Sequence, residues 1–127
     1  MASLLAEFQG NDAPHPANLN SQALDRIMAV RQTIDRDPGL MTTIAALAAE
    51  FAISPSKLKQ DFAAAFGIGL GRYIIDRRLL LGRELIERHE LSISEAAYRS
   101  GYTHPANFTT AFRRRFGIAP SAVKRSS

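Results

Sequence analysis

Two short runs in this 127-residue sequence hold polar side chains that share the outward faces of candidate helices. The first is Ser56, Lys57, Lys59 and Gln60. The second is Asn107, Thr109 and Thr110, preceded by Pro105-Ala106 and followed by Arg113, Arg114 and Arg115. Lys59 and Gln60 suit hydrogen bonding to the edge of a nucleobase, Lys57 a base or a phosphate, and Ser56 either. Asn107 carries the donor and acceptor that match an adenine edge. Thr110 can hydrogen-bond a base or set its methyl against a thymine, while Ala106 offers apolar contact alone. Thr109 is placed to reach a sugar–phosphate backbone. Arg113 and Arg114 lie a turn further on, where phosphate pairing is favoured over base reading. The competing account of the arginine triplet is a solvated helix end, where cations also suit the helix dipole.

No other chemistry competes with this one. Cysteine is absent, which removes disulfides, a thiol nucleophile and cysteine metal sites and suits a reducing cytoplasm. His15, His89 and His104 have no metal-ligand spacing. His104 reads as a helix cap or phosphate neighbour, and Glu84 and Glu87 as ion-pair partners of arginines four residues away. No nucleophile–base–orienter set, phosphate-cradling glycine loop or cofactor motif is present, so the chain does not read as an enzyme. No apolar run reaches the ~18–20 residues of a membrane span.

The elements that must position these residues are helices throughout. Leu4, Leu5 and Phe8 have helical spacing, and a linker follows from Gly10 to Asn18. Asn20 or Ser21 can cap a helix from about Gln22 to Arg36, whose apolar set includes Met28 and Met41, and Asp37-Pro38-Gly39 ends it. Thr43 caps a second helix. Ser54-Pro55 starts a third that runs to Phe66 and stops at Gly67, with Leu58, Phe62 and Phe66 inward. From Leu70 to His89 the pattern is one long helix with Tyr73, Ile74, Leu80 or Leu81, Leu85 and Ile86 apolar and Gly82 in its middle. That glycine costs ~1 kcal/mol against alanine, and close approach of another helix is the compensation it suggests.

The text then repeats. Ser92, with Glu95 three residues on, has the pattern of a capping box. Ile44, Leu47 and Ala48 recur as Ile93, Ala96 and Ala97, and Gly101 takes the place of Ala52 at the turn. Ser54-Pro55, Leu58, Phe62 and Gly67 recur as His104-Pro105, Phe108, Phe112 and Gly117. Each copy is a helix-turn-helix, at about 43–67 and 92–117, and a short helix after Ala119-Pro120 closes the chain. In this motif the second helix enters the major groove of double-stranded DNA. Twenty residues of connecting helix, about 70–89, span about 30 Å. Successive major-groove segments on one face of B-DNA are about 34 Å apart. The two candidate recognition helices, 54–66 and 104–116, are therefore expected in consecutive major-groove segments.

Charge agrees. Residues 1–51 hold three basic and six acidic side chains, whereas residues 52–127 hold thirteen and six. A basic half suggests a polyanionic partner. The alternative reading is a helical protein-interaction module that docks an acidic partner on Arg113–Arg115.

Ile93, Ala97, Gly101-Tyr102, Phe108, Phe112, Phe116-Gly117 and Pro120, at these spacings, resemble the signature of the AraC/XylS family of bacterial transcription regulators. Leu47-Ala48, Ser54, Leu58, Phe62, Gly67, Tyr73-Ile74 and Arg78-Leu79 match its first half. The resemblance covers about residues 22–125. It implies an all-α fold of seven helices, residues 20–127 as the DNA-binding domain, and residues 1–19 as an N-terminal segment and linker. It implies groove positions at Ser56, Lys59 and Gln60, and at Pro105, Ala106, Asn107, Thr109 and Thr110. It also implies a regulator that usually activates and can touch RNA polymerase. Many relatives carry an effector-binding and dimerising domain ahead of this one. The start of this chain resembles the end of such a connection, so that domain is expected to be missing here. Ala52 and Gly82 depart from the family pattern and put local stability in question. Asp61 and the alanines at 63–65 make the first recognition helix less basic than usual.

Overall fold

The computed structural model describes residues 19–40 and 43–126, with backbone alone for 125 and 126. The N-terminal apolar segment, the linker through Asn18 and Met41 lie outside the described residues. Seven helices and no strands are found among the described residues: α1 (Ser21–Arg36), α2 (Ile44–Glu50), α3 (Pro55–Phe66), α4 (Leu70–His89), α5 (Ile93–Arg99), α6 (Pro105–Phe116) and α7 (Pro120–Ser126).

The ends follow from side-chain chemistry. The Asn20 side-chain oxygen accepts from the Ala23 amide at 2.7 Å, so Asn20 rather than Ser21 caps α1. Thr43, Ser54 and Ser92 accept from the amides three residues on, at 3.0, 3.1 and 3.0 Å. Each satisfies one of the donors a helix start leaves open. The expected reciprocal half of the capping box at Ser92 is replaced: the Glu95 carboxylate accepts from Arg99 instead. α3 and α6 both end on a left-handed glycine, Gly67 (φ 73°) and Gly117 (φ 79°).

The chain divides into two compact units. Among the described residues, one holds those up to Gln32 and from Thr43 to Leu70; the other holds Thr33 to Leu40 and those from Gly71 on. In the first unit Ile27, Val30, Leu47, Leu58 and Phe62 are buried. In the second, Leu79, Ile86, Ala96, Ala97, Phe108, Phe112 and Val123 form one cluster. The buried line of α4 is therefore Ile74, Leu79, Gly82 and Ile86, a correction to the expected Leu80 or Leu81, which are half-buried. Gly82 explains the shift in phase: the helix presents its bare backbone, not a leucine, to the Phe108 ring.

The duplication reaches one helix further back than the helix-turn-helix. Ile27, Val30, Arg31 and Ile34 on α1 stand 52 positions before Leu79, Gly82, Arg83 and Ile86 on α4. All the apolar members are buried. The arginines do the same work in each unit: Arg31 lies 4.7 Å over the Phe66 ring and Arg83 4.8 Å over Phe116. Each repeat is thus three helices. Within it, Val30 and Leu58 of the first repeat correspond to Gly82 and Phe108 of the second, a smaller residue on one helix matched by a larger one on the other.

That trade predicts the outcome at Gly82. A Cβ there would lie 2.4 and 2.7 Å from Cε1 and Cζ of Phe108. The ring is fully buried and packed against Tyr102 and Phe112 at 5.5 Å each, so it cannot swing away. Gly82→Ala is expected to destabilise by up to about 2 kcal/mol although alanine is the better helix former, because overpacking costs about 1–3 kcal/mol against a propensity gain of about 1. Chemical denaturation checks it; adding Phe108→Leu should restore most of the loss.

The turns at Ala52 and Gly101 are built alike. Ala52 and Ile53 amides donate to Ala49 and Ala48 carbonyls, as Gly101 and Tyr102 donate to Tyr98 and Ala97. Both pivots are left-handed, Ala52 at φ 56° and Gly101 at φ 100°. Alanine there is strained but exposed. Ala52→Gly is expected to stabilise by about 0.5–1 kcal/mol, the left-handed penalty less the entropy of glycine. A thermal melt should move up by a few degrees; no rise would show that the strain is absorbed locally.

Candidate nucleic-acid interface

The α3 face is set by its inner side. Leu58, Asp61, Phe62 and Ala64 are buried, which leaves Ser56, Lys59, Gln60 and Ala63 exposed along one stripe. Pro55 at the first helical position and the Ser54 cap fix where that stripe begins. Lys57 is exposed too but is not free: its Nζ lies 2.9 Å from Oδ1 of Asp61, whose side chain is 5% exposed against 55% for the lysine. The carboxylate belongs to the inner side of the helix and draws the lysine head toward it.

On α6, Phe108 and Phe112 are buried and continue as a ladder of rings to Phe116 at 4.6 Å. This turns Ala106, Asn107, Thr110, Arg113 and Arg114 outward, with Pro105 and Thr109 half-buried at the margin. His104 occupies the cap position expected of it, through its backbone alone: its side chain makes no capping bond, and its carbonyl accepts from Asn107 and Phe108. The Thr110 hydroxyl donates to the Ala106 carbonyl at 3.1 Å, so its proton stays on its own helix. The three arginines divide. Arg115 is paired with Asp76 and stacked on Phe116 at 4.8 Å, whereas Arg113 and Arg114 are exposed with no ion pair among the described residues.

Elsewhere Arg83 pairs with Glu87 at 3.2 Å as its spacing suggests. Glu84 takes no ion-pair partner among the described residues, which corrects that half of the expectation. The Tyr102 phenol is pushed above its ordinary value of 10.0 by burial, against a smaller opposing pull from Arg78.

The profile of a helix-turn-helix domain family matches residues 47–126, spanning α2 to α7 and both stripes. The chain belongs to the AraC/XylS family, as its DNA-binding domain. It is 32% identical over 119 residues to the HTH-type transcriptional regulator GlxA of Rhizobium meliloti (strain 1021), covering 94% of this chain and 36% of that protein. Against the transcriptional activator RhrA of the same organism it is 32% identical over 124 residues, 96% of this chain and 38% of that protein. The C-terminal domain of AraT, a response regulator from Geobacillus stearothermophilus, matches with a TM-score of 0.76 at 27% identity, covering 80% of this chain and 85% of that one. The chain thus spans just over a third of the length of either of these two relatives.

In this AraC/XylS domain Ser56, Lys59 and Gln60 on α3 and Ala106, Asn107 and Thr110 on α6 are exposed, Pro105 and Thr109 are half-buried, and three side chains have partners that the sequence left unread. Lys57 is held by Asp61, Thr110 has lost its donor, and Arg115 serves the fold. The sequence carried a signal for the first of these in the i, i+4 spacing of Lys57 and Asp61. None marked which arginine of the triplet would turn back.

Proposed function

We propose that the chain binds double-stranded DNA sequence-specifically to regulate transcription. α3 and α6 act as recognition helices in consecutive major-groove segments. Ser56, Lys59, Gln60, Ala106, Asn107 and Thr110 meet base edges, and Lys57, Thr109, Arg113 and Arg114 meet the backbone. The observation that carries this reading is the pair of exposed polar stripes on the second helix of each duplicated unit, each held by a buried phenylalanine ladder. Activation is the mode this reading favours, since RhrA is named an activator. RNA polymerase would be the protein partner and the cytoplasm the compartment. The docking of an acidic protein on the arginine triplet is the weaker reading, because Arg115 is already paired with Asp76.

In vitro selection of duplexes, followed by anisotropy across a salt series, tests it. Lys59→Ala or Asn107→Ala should relax preference at one position each, by about 1–3 kcal/mol. Arg114→Ala should weaken all duplexes about equally and reduce the slope of log affinity against log salt by about 0.9. Equal affinity for selected and random duplexes at moderate salt would sink the specific-binding reading.

A further inference from the structure

The two stripes occupy the same register and differ in one chemical respect. Ser56, Lys59 and Gln60 on α3 correspond, 50 positions on, to Ala106, Thr109 and Thr110 on α6. At each position a longer or stronger donor has become a methyl-bearing side chain. Ala106 has no polar atom beyond its backbone. Thr110 retains a hydroxyl, but its proton is bonded to the Ala106 carbonyl at 3.1 Å. An approaching base therefore meets a methyl group and an acceptor. Pro105 has no amide proton. Asn107 is exposed between these and carries the one amide of the stripe, while Thr109, half-buried at its margin, keeps a hydroxyl. The first guanidinium on the exposed face is Arg113, seven residues after Ala106.

Guanine presents two acceptors, N7 and O6, in the major groove and is read by strong donors such as arginine or lysine. Thymine presents a C5-methyl group, and adenine the acceptor and donor that an asparagine amide matches in a bidentate pair. From this juxtaposition we infer that α6 reads a half-site of A·T pairs. Ala106 and Thr110 pack on thymine methyls and Asn107 pairs with adenine, while α3, through Lys59 and Gln60, reads the half-site that contains guanine. The inference rests on the DNA-binding reading above. It makes the two halves of the site chemically unlike, although they are bound by copies of one motif.

The test alters single methyl groups on the DNA and leaves the 127-residue chain intact. Thymines of the selected duplex are replaced one at a time by deoxyuridine, which removes the C5-methyl and nothing else. Affinity is expected to fall about fourfold, the value of one buried methyl, at thymines of one half-site and to hold at those of the other. Thr110→Val keeps a methyl and loses the hydroxyl, and should keep the parent's sensitivity to uracil at the same position. Thr110→Ser keeps the hydroxyl and loses the methyl; it should bind about fourfold more weakly and become insensitive to uracil at one position. Uracil tolerance throughout a site that is still selected, or loss in Thr110→Val with retention in Thr110→Ser, would overturn the methyl reading and leave DNA binding standing. Enrichment of no sequence at all would overturn both.

Discussion

Gly39→Ala is expected to destabilise the second unit by about 3–4 kcal/mol, near the upper end of single-substitution effects. A Cβ at Gly39 would stand 2.1 Å from the carbonyl oxygen of Arg99 and 3.2 Å from its carbon. These are backbone atoms at the end of α5, so no rotamer change relieves the clash. The loop itself cannot back away. Arg78 of α4 donates from Nε to the Pro38 carbonyl and from Nη2 to the Leu40 carbonyl, both at 3.1 Å, clamping the loop on either side of the glycine. The far side of the clamp is closed by Gly101, where a Cβ would lie 2.9 Å from Nε of Arg78 and 3.3 Å from the Gly39 carbonyl oxygen. Three elements meet here with no room for a methyl group: the loop after α1, the turn of the second helix-turn-helix and the middle of α4. A small domain has only about 5–15 kcal/mol in total, so the variant should show a much lower thermal midpoint by circular dichroism. Gly71→Ala in the same unit is the control. Nothing lies within 4 Å of a Cβ there, and alanine should be neutral or stabilising by up to about 1 kcal/mol. Equal midpoints for the two variants would show that the loop can move away from the Arg99 carbonyl despite the Arg78 clamp.

That glycine was legible in the sequence as a helix stop and nothing more. Asp37-Pro38-Gly39 marks a turn by composition, but what excludes a side chain is a carbonyl sixty residues away, which no local pattern encodes. Arg78 is the same case: one of five arginines spread along α4, separable from the others only by the carbonyls it faces. Local chemistry was readable because its cause is local. Ser54, Ser92 and Thr43 cap helices through their own side chains, and the bounds of α4 follow from the continuous apolar period between Leu70 and His89. The outward stripes on α3 and α6 were readable for the same reason, since burial of Phe62 and Phe112 fixes the opposite face. The pairing of α1 with α4 was hidden because Ile27, Val30 and Ile34 correspond to Leu79, Gly82 and Ile86 in burial more than in identity. Ile34 and Ile86 repeat in kind, as do the stacked arginines, Arg31 and Arg83, and the rings beneath them.

Within the interface, Lys57 and Asp61 are expected to give opposite results on substitution. Asp61 is 3% exposed and sits on the inner side of α3, while the lysine that neutralises it is largely in water. Lys57→Ala would leave a buried carboxylate without its counter-charge, a loss of about 2–3 kcal/mol, set below the usual 3–5 for breaking a buried pair because Lys57 is exposed. It would also remove a cation from the DNA face, so weaker binding by this variant alone would not separate the two causes. Asp61→Ala separates them. It leaves a lysine that water solvates, and it installs the residue that the second repeat already has at the matching position, Ala111. Stability should change by no more than about 1 kcal/mol, as for a substitution that strands no charge. Lys57, released, is then available to a phosphate, and the negative charge beside it is gone. The slope of log affinity against log salt should steepen by about 0.9, the increment of one added phosphate contact, with affinity at low salt raised several-fold. An unchanged slope in Asp61→Ala would show that Lys57 serves the helix and not the DNA. The basic contact of the first unit would then rest on Lys59 alone.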